Sequence, residues 1–248
     1  DAAAREGAPR AYTHRVRVPE DVHEVDRMLT LLDPLRIPRV DDRRLYLDPE
    51  DDAWWREQRR DVHLGHRYAV LAPTSRWASK RWPADRWGEL AGHLAELDLH
   101  RFVILAAPGE TDQVAGVLAA CPPDVRPGVL SLAGETTVGQ SMAVIAAAAL
   151  VVANDSAPLH MADGFDVPAV GLFGPTDPAR VGARGPRSRN VTPPGGRPEG
   201  VHYRDRRLGD RLIGTLPVSV VADAASEALR TPPTPAVAPA PTAARAPA

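Results

Sequence analysis

Apolar residues along this chain fall into two alternating textures. Short apolar runs closed by Gly, Pro or Asn/Asp occur at Tyr68–Ala72, Phe102–Ala106, Val129–Leu132, Leu150–Ala153 and Val167–Phe173. Runs of this length, bounded by turn-forming residues, predict strands buried on both faces. Between them, Ala84–Leu97, Thr111–Ala120 and the alanine-rich Val138–Ala149 have helical texture, and Val218–Leu229 closes the series. This alternation predicts an α/β fold, a parallel sheet with helices on both faces. The clearest unit is Ala148–Pro178. Its strand ends in Asn154-Asp155-Ser156, a helix-start signal in which a Ser or Asp side chain accepts from the first free amides. Pro158 fits the first helical turn. The helix runs to about Phe165, and the next strand stops at Gly174-Pro175.

The flanks read differently. Residues 1 to about 18 are polar and arginine-containing, with Tyr12–Val18 a short strand. Val22, Val25, Met28, Leu29 and Leu32 fall at helical spacing within a helix that Pro34 ends. An extended linker runs from Arg36–Pro38 through Leu45–Leu47. Asp51–Arg60 is a charged helix, with one ring of Trp54-Trp55 turned inward. Residues 180–212, rich in Arg and Gly, read as loop. The division is therefore 1–50 as an incomplete leading piece, 51–230 as the α/β domain, and 231–248 as a Pro/Ala-rich tail too apolar-poor to bury a core and expected to be disordered.

Composition narrows the class. A formal net charge of −2 over 248 residues gives no basic field for nucleic acid. One cysteine, Cys121, excludes a disulfide framework and fits a reducing compartment. No run approaches the roughly 18 apolar residues of a membrane span, and no signal peptide opens the chain, so the expected location is cytoplasmic. The triplet Asn190-Val191-Thr192 is then a chance match to a glycosylation site. The first residue is Asp1, as in a fragment or a processed product.

Candidate chemistry lies where predicted strands meet loops. The turn after Leu150–Ala153 sits at a strand's carboxyl end, where open α/β sheets bind ligands, and a helix start there suits phosphate. Asp155 and His160 are the polar groups placed to face a ligand. The plainer reading makes Asp155 or Ser156 a helix cap and His160 a surface histidine. In Ala72–Trp87, Thr74 and Ser75 offer hydroxyls and amides and Lys80 a cation, together suited to a diphosphate; the alternative is a solvated loop with Trp82 and Trp87 packed on the following helix. Gly134-Glu-Thr-Thr-Val-Gly139-Gln140-Ser141 has P-loop spacing, but Gln140 stands where that motif needs lysine. Eight scattered histidines with no pair at ligand spacing argue against zinc. No glycine elbow surrounds Ser156, against a hydrolase triad. The arginines from Arg180 to Arg211 are solvated loop or line a site for an anionic acceptor.

Taken jointly, Pro73-Thr74-Ser75, Lys80-Arg81-Trp82-Pro83, Leu132-Ala133-Gly134-Glu135-Thr136, Asn154 through Ala162, Val167-Pro168 and Leu172 through Thr176 resemble the C-terminal half of glycosyltransferase family 9, the ADP-heptose:lipopolysaccharide heptosyltransferases. The resemblance spans roughly residues 68–178. It implies a GT-B architecture of two Rossmann-like domains, here with the N-terminal domain largely missing. It further implies that Lys80, Thr74, Ser75, Ser156 and Ala157 hold the donor diphosphate. Asp155 and His160 would lie near sugar hydroxyls or phosphate, Glu110 would take the ribose, and the loop containing Thr136 would cover the base. The implied activity is inverting transfer of a sugar from a nucleotide-diphosphate donor, ADP-heptose, to a lipopolysaccharide-type glycan. No metal or other cofactor is implied, the acceptor is lipid-linked, and contact with the inner membrane is peripheral. The general base is unknown and expected in the missing domain, so this chain alone should bind donor and transfer poorly. Two departures stand out: Ala157 where glycine is frequent, and Asp163 where a small apolar residue is usual. The rival readings are a nucleotide-sugar epimerase of the same architecture and a non-catalytic nucleotide-binding module.

Overall fold

The computed structural model describes residue 13 and residues 15–40, 42–62, 64–65, 67–205, 207–208 and 210–235. Six strands form one sheet: β1 (Ala69–Ala72), β2 (Phe102–Ile104), β3 (Val129–Ser131), β4 (Leu150–Asn154), β5 (Ala169–Leu172) and β6 (Ser188–Val191). All pairs are parallel, in the order β3-β2-β1-β4-β5-β6, the doubly wound Rossmann order. In the centre, Val70 of β1 lies opposite Val103 of β2 and Val151 of β4.

Both faces of the sheet are covered, which explains the unbroken apolar runs. Along β1, Ala69 and Leu71 enter one core while Val70 and Ala72 enter the other; along β4, Leu150 and Val152 separate in the same way from Val151 and Ala153. The period of two in side-chain direction divides each run between the two faces. One face carries α3 (Ala84–Glu96), α4 (Thr111–Ala120) and α8 (Val218–Arg230). The other carries α2 (Pro49–Asp61), α5 (Val138–Ala146) and α6 (Ala157–Gly164). On α3, Trp87, Leu90, Ala91 and Leu94 are buried, the i, i+3, i+4, i+7 stripe of an amphipathic helix. A Cβ on Gly88 would stand 2.1 Å from the Ala120 carbonyl oxygen, so this glycine lets α3 and α4 approach closely.

On the opposite face, the Trp55 indole donates to the Tyr68 hydroxyl at 2.8 Å, and that hydroxyl donates to the Val144 carbonyl at 2.6 Å. One buried chain of hydrogen bonds thereby joins α2, the start of the sheet and α5. Burial pushes the Tyr68 phenol well above its ordinary value. Trp55 is the inward ring of the Trp54-Trp55 pair, and Trp82 packs edge-on against Trp87 with centroids 5.4 Å apart.

Several sequence expectations are corrected. Thr13 and Arg15–Val18 are not strand, and Tyr12 and His14 lie outside the described residues. The first helix, α1, covers Glu24–Leu29 and tightens into a 3-10 turn, Thr30–Leu35, that contains Pro34. Helix α5 stops at Ala146, and the Ala149 amide already bonds the Tyr68 carbonyl. Alanine favours helix, but pairing beside β1 overrides that preference. The β5 strand is shorter than the run Val167–Phe173. Residues 180–212 are not all loop. Pro178–Val181 forms α7, capped by Asp177, and Ser188–Val191 forms β6. That strand is polar because it is an edge, half-buried at each position, and its backbone pairs with β5 regardless of side-chain pattern. Of the expected disordered tail, 236–248 lie outside the described residues.

Asp163, which stands on α6 where a small apolar residue is usual in the family this chain resembles, has a role. Its buried carboxylate accepts from Arg43 Nη1 at 2.7 Å, the Gly185 amide at 2.6 Å, the Arg184 amide at 3.3 Å and the Ser188 hydroxyl at 2.7 Å. It binds the leading linker and the approach to β6 to the same helix.

Candidate functional site

The strand order reverses between β1 and β4, so the loops leaving their carboxyl ends diverge and open a crevice. The fully buried Asn154, last residue of β4, ties those loops together. Its amide donates to the Pro73 carbonyl at 2.5 Å and its oxygen accepts from the Trp82 amide at 3.3 Å. The Trp82 indole donates to the Leu216 carbonyl at 3.1 Å. The loop that bears Lys80 is thus pinned at its far end before α3 begins.

Lys80 Nζ lies 2.5 Å from Asp155 Oδ2, and the Thr176 hydroxyl donates to the same oxygen at 2.6 Å. The lysine side chain is 14 % exposed and the carboxylate 8 %. Lys80 is the single lysine of the sequence, which otherwise carries its cations on 29 arginines. An ammonium is a compact point charge with freely rotating donors, whereas a guanidinium is a rigid planar fork. Burying an ion pair adds little net stability compared with apolar packing, so its position on a cavity wall points to use rather than to folding.

That cavity measures about 430 Å³. Eight of the nine residues singled out in the sequence line it: Thr74, Ser75, Lys80, Glu110, Thr136, Asp155, Ser156 and Ala157. Leu105, Pro108, Val138 and Met161 give it apolar walls. The capping reading of Asp155 and Ser156 is corrected by the geometry. Ser156 occupies the N-cap of α6, but its hydroxyl donates back to the Asn154 carbonyl at 3.0 Å and caps nothing, while Asp155 is turned to Lys80. The Ser156 and Ala157 amides find no protein acceptor among the described residues, leaving the helix start open to an anion.

Other members are partly engaged. The Ser75 amide donates to Gln113 Oε1 at 3.3 Å and its carbonyl accepts from Arg81 at 2.8 Å. The Ser75 hydroxyl also accepts from the Trp77 amide at 3.4 Å, so Ser75 presents to the cavity little beyond its hydroxyl proton, while Thr74 is buried at the same wall. Glu110 accepts from the Ala107 amide at 3.3 Å through one oxygen, and Thr136 shares a 2.8 Å hydrogen bond with Ser141. Gln140 completes a capping box with Thr137 at the start of α5, which accounts for the residue in the lysine position of the P-loop-like spacing.

His160 is not brought into this cavity. It lines an adjoining one of about 680 Å³, with His23, Arg43, Leu45 and Arg184 among its walls and only Ala157 and Met161 shared. Although its surface is open to solvent, loss of hydration against the protein holds the imidazole below its ordinary value, outweighing the attraction of Asp155 and Asp163. Among the described residues, no group of three or more His, Cys, Asp or Glu is arranged to hold a metal ion.

The sequence reading missed Arg76, Trp77 and Ser141 on the cavity wall, and Tyr203, whose ring lies 4.8 Å from Lys80 Nζ. Thr176 had been noted only as part of a motif. Its role depends on β5 lying beside β4, and nothing local announces Tyr203, which comes from a segment more than a hundred residues away.

Comparison with known proteins agrees with this geometry. Residues 1–202 match the profile of glycosyltransferase family 9 (heptosyltransferase). Lipopolysaccharide heptosyltransferase 3 of Escherichia coli K12 is 30 % identical over 179 residues, covering 68 % of this chain and 48 % of that protein. Lipopolysaccharide heptosyltransferase 1 of Pseudomonas aeruginosa is 33 % identical over 130 residues, 52 % of this chain and 35 % of that protein. The chain thus spans half or less of the length of these curated relatives. Among solved structures, a family 9 glycosyl transferase from Veillonella parvula superposes with a TM-score of 0.74 at 20 % identity, covering 86 % of this chain and 62 % of that one. The E. coli heptosyltransferase WaaC with ADP gives 0.62 at 21 %, over 89 % and 61 %. With residues 1–202 matched by its profile, this chain, a doubly wound sheet with a crevice at its switch point, belongs to glycosyltransferase family 9.

Proposed function

We propose that this chain is the donor-binding half of an inverting heptosyltransferase, taking ADP-heptose as donor and serving a lipopolysaccharide-type, lipid-linked acceptor at the cytoplasmic face of the inner membrane. The observation that carries the reading is Lys80 on the wall of the 430 Å³ crevice that Ser156 and Ala157, at the uncapped start of α6, also line. Cleavage of the bond between the sugar's anomeric carbon and the β-phosphate oxygen leaves that bond's electron pair on a nucleoside diphosphate. Preorganised positive charge at that oxygen lowers the barrier. Lys80 supplies a full charge and the Ser156 and Ala157 amides a fixed dipole, with no step assigned to a metal. Donor affinity is accordingly expected to be unchanged by EDTA.

Glu110 and the Thr136 loop line the same crevice and are assigned to the ribose and base. Relatives named for heptose transfer, and a fold neighbour solved with ADP, support adenine and heptose over other donors. Asp155 is held by Lys80 and Thr176, and that engagement argues against Asp155 as the general base. Residues 1–50 are assigned to the acceptor side and 51–230 to the donor domain. Among the described residues no helix is long and apolar enough to cross a membrane, so contact with the lipid-linked acceptor is proposed to be peripheral.

Calorimetry with ADP, UDP, GDP and CMP tests the reading. ADP should bind in preference, and Lys80→Ala should weaken it. Preference for UDP would move the function toward the epimerase class, and absence of binding by a chain shown to be folded would refute a donor site. With donor and acceptor supplied, the chain alone is expected to transfer little sugar; efficient turnover would place the base within it.

A further inference from the structure

Beside the donor crevice lies a cluster of rings and cations, Trp77, His202, Tyr203 and Arg204, of which only Trp77 also lines the crevice. Tyr203 is held from several sides. The Ser79 hydroxyl donates to its carbonyl at 2.5 Å. Trp77 meets its ring edge-on with centroids 5.5 Å apart, His202 stacks on it at 4.6 Å, and the Arg204 guanidinium lies 5.5 Å from the ring centre. The ring also meets Lys80 of the crevice wall, whose Nζ stands 4.8 Å from its centroid.

We propose that Tyr203 is a positioning residue for Lys80, holding the ammonium at the crevice wall so that it meets the donor's diphosphate; this rests on the donor reading above. A lysine stem has four rotatable bonds, and a single carboxylate fixes only one end of its arc. The negative face of an aromatic ring adds a second, weaker attraction, and the two together restrict where the charge can stand. Tyr203 touches Lys80 without lining the crevice, so its influence on the donor passes through the lysine. It lies one residue past the stretch that matches the family profile, so nothing in that match assigns it a role. The contact joins the loop after β1 to the segment after β6, binding the two halves of the sheet across the switch point.

Because Lys80 is the single lysine, reductive 13C-methylation places one side-chain amine probe in the protein, with the α-amino group identified by its loss-free signal in Lys80→Arg. The Lys80 methyl resonance should be shifted by the Tyr203 ring current, kept in Tyr203→Phe, and returned to the free-lysine position in Tyr203→Leu, which retains an apolar body without a π face. In calorimetry on the unmodified full chain, Tyr203→Leu should bind ADP about tenfold more weakly, the loss expected of one partly desolvated cation–π contact. Affinity for adenosine, which carries no phosphate, should hold. Tyr203→Phe should bind ADP like the parent. Full ADP affinity in Tyr203→Leu, or an unshifted parent resonance, would overturn the assignment and leave the donor reading standing. Failure of the folded parent chain to bind ADP would remove both.

Discussion

At the scale of residues, Lys80 and its neighbours show how position changes what a side chain is for. A charge-assisted hydrogen bond contributes about 1.5–3 kcal/mol, so Lys80→Ala should weaken ADP binding by roughly 10- to 100-fold in calorimetry. Lys80→Arg should not restore it, since a planar fork cannot take the place of a compact ammonium in a site shared with Asp155 and Thr176. His160 gives a different prediction. Its folded state favours the neutral ring, so the unfolded chain binds more protons and stability falls as pH drops from about 6.5 through the lower folded midpoint. An NMR titration should place the His160 midpoint below that of an unstructured histidine; a midpoint above it would contradict the desolvation argument.

Elements are held by a few buried polar junctions. Tyr68→Phe removes the hydroxyl that accepts from Trp55 and donates to Val144, orphaning two buried groups at about 1–3 kcal/mol each at most. Urea unfolding should report a loss of about 2–6 kcal/mol with the fold retained. Asp163→Ala should cost at least about 3 kcal/mol, because several donors lose one common acceptor. The loss should appear first as faster amide exchange around Arg184–Ser188. Such junctions are poorly legible in sequence. Leu150–Asn154 announces a strand by itself, whereas β6 is polar and exists because β5 offers an edge. Likewise the end of α5 is set by pairing at Ala149 and Tyr68 rather than by any stop signal in four consecutive alanines.

For the molecule as a whole, a crevice formed by loops from strands that are neighbours in the sheet but far apart in sequence couples ligand binding to the integrity of the sheet. ADP at about a hundred times its dissociation constant should raise unfolding free energy by about 2.7 kcal/mol, read as a higher thermal midpoint. That shift should shrink in Lys80→Ala, and the unliganded Lys80→Ala chain must be measured beside it because its buried Asp155 loses a partner. An ADP-independent midpoint would argue against a preformed site.

The sequence by itself determined the alternation of strands and helices, the carboxyl-end loops that carry Thr74, Lys80 and Asp155, and the family resemblance. Each is written locally, in apolar runs, turn residues and short motifs. Only the tertiary structure decided that Ser156 leaves its helix start uncapped, that His160 faces a neighbouring cavity, that Asp163 is an anchor, and that Tyr203 reaches Lys80. Those outcomes depend on which strands become neighbours. Strand order is set by packing both faces of the sheet at once, so no single stretch of the chain encodes them.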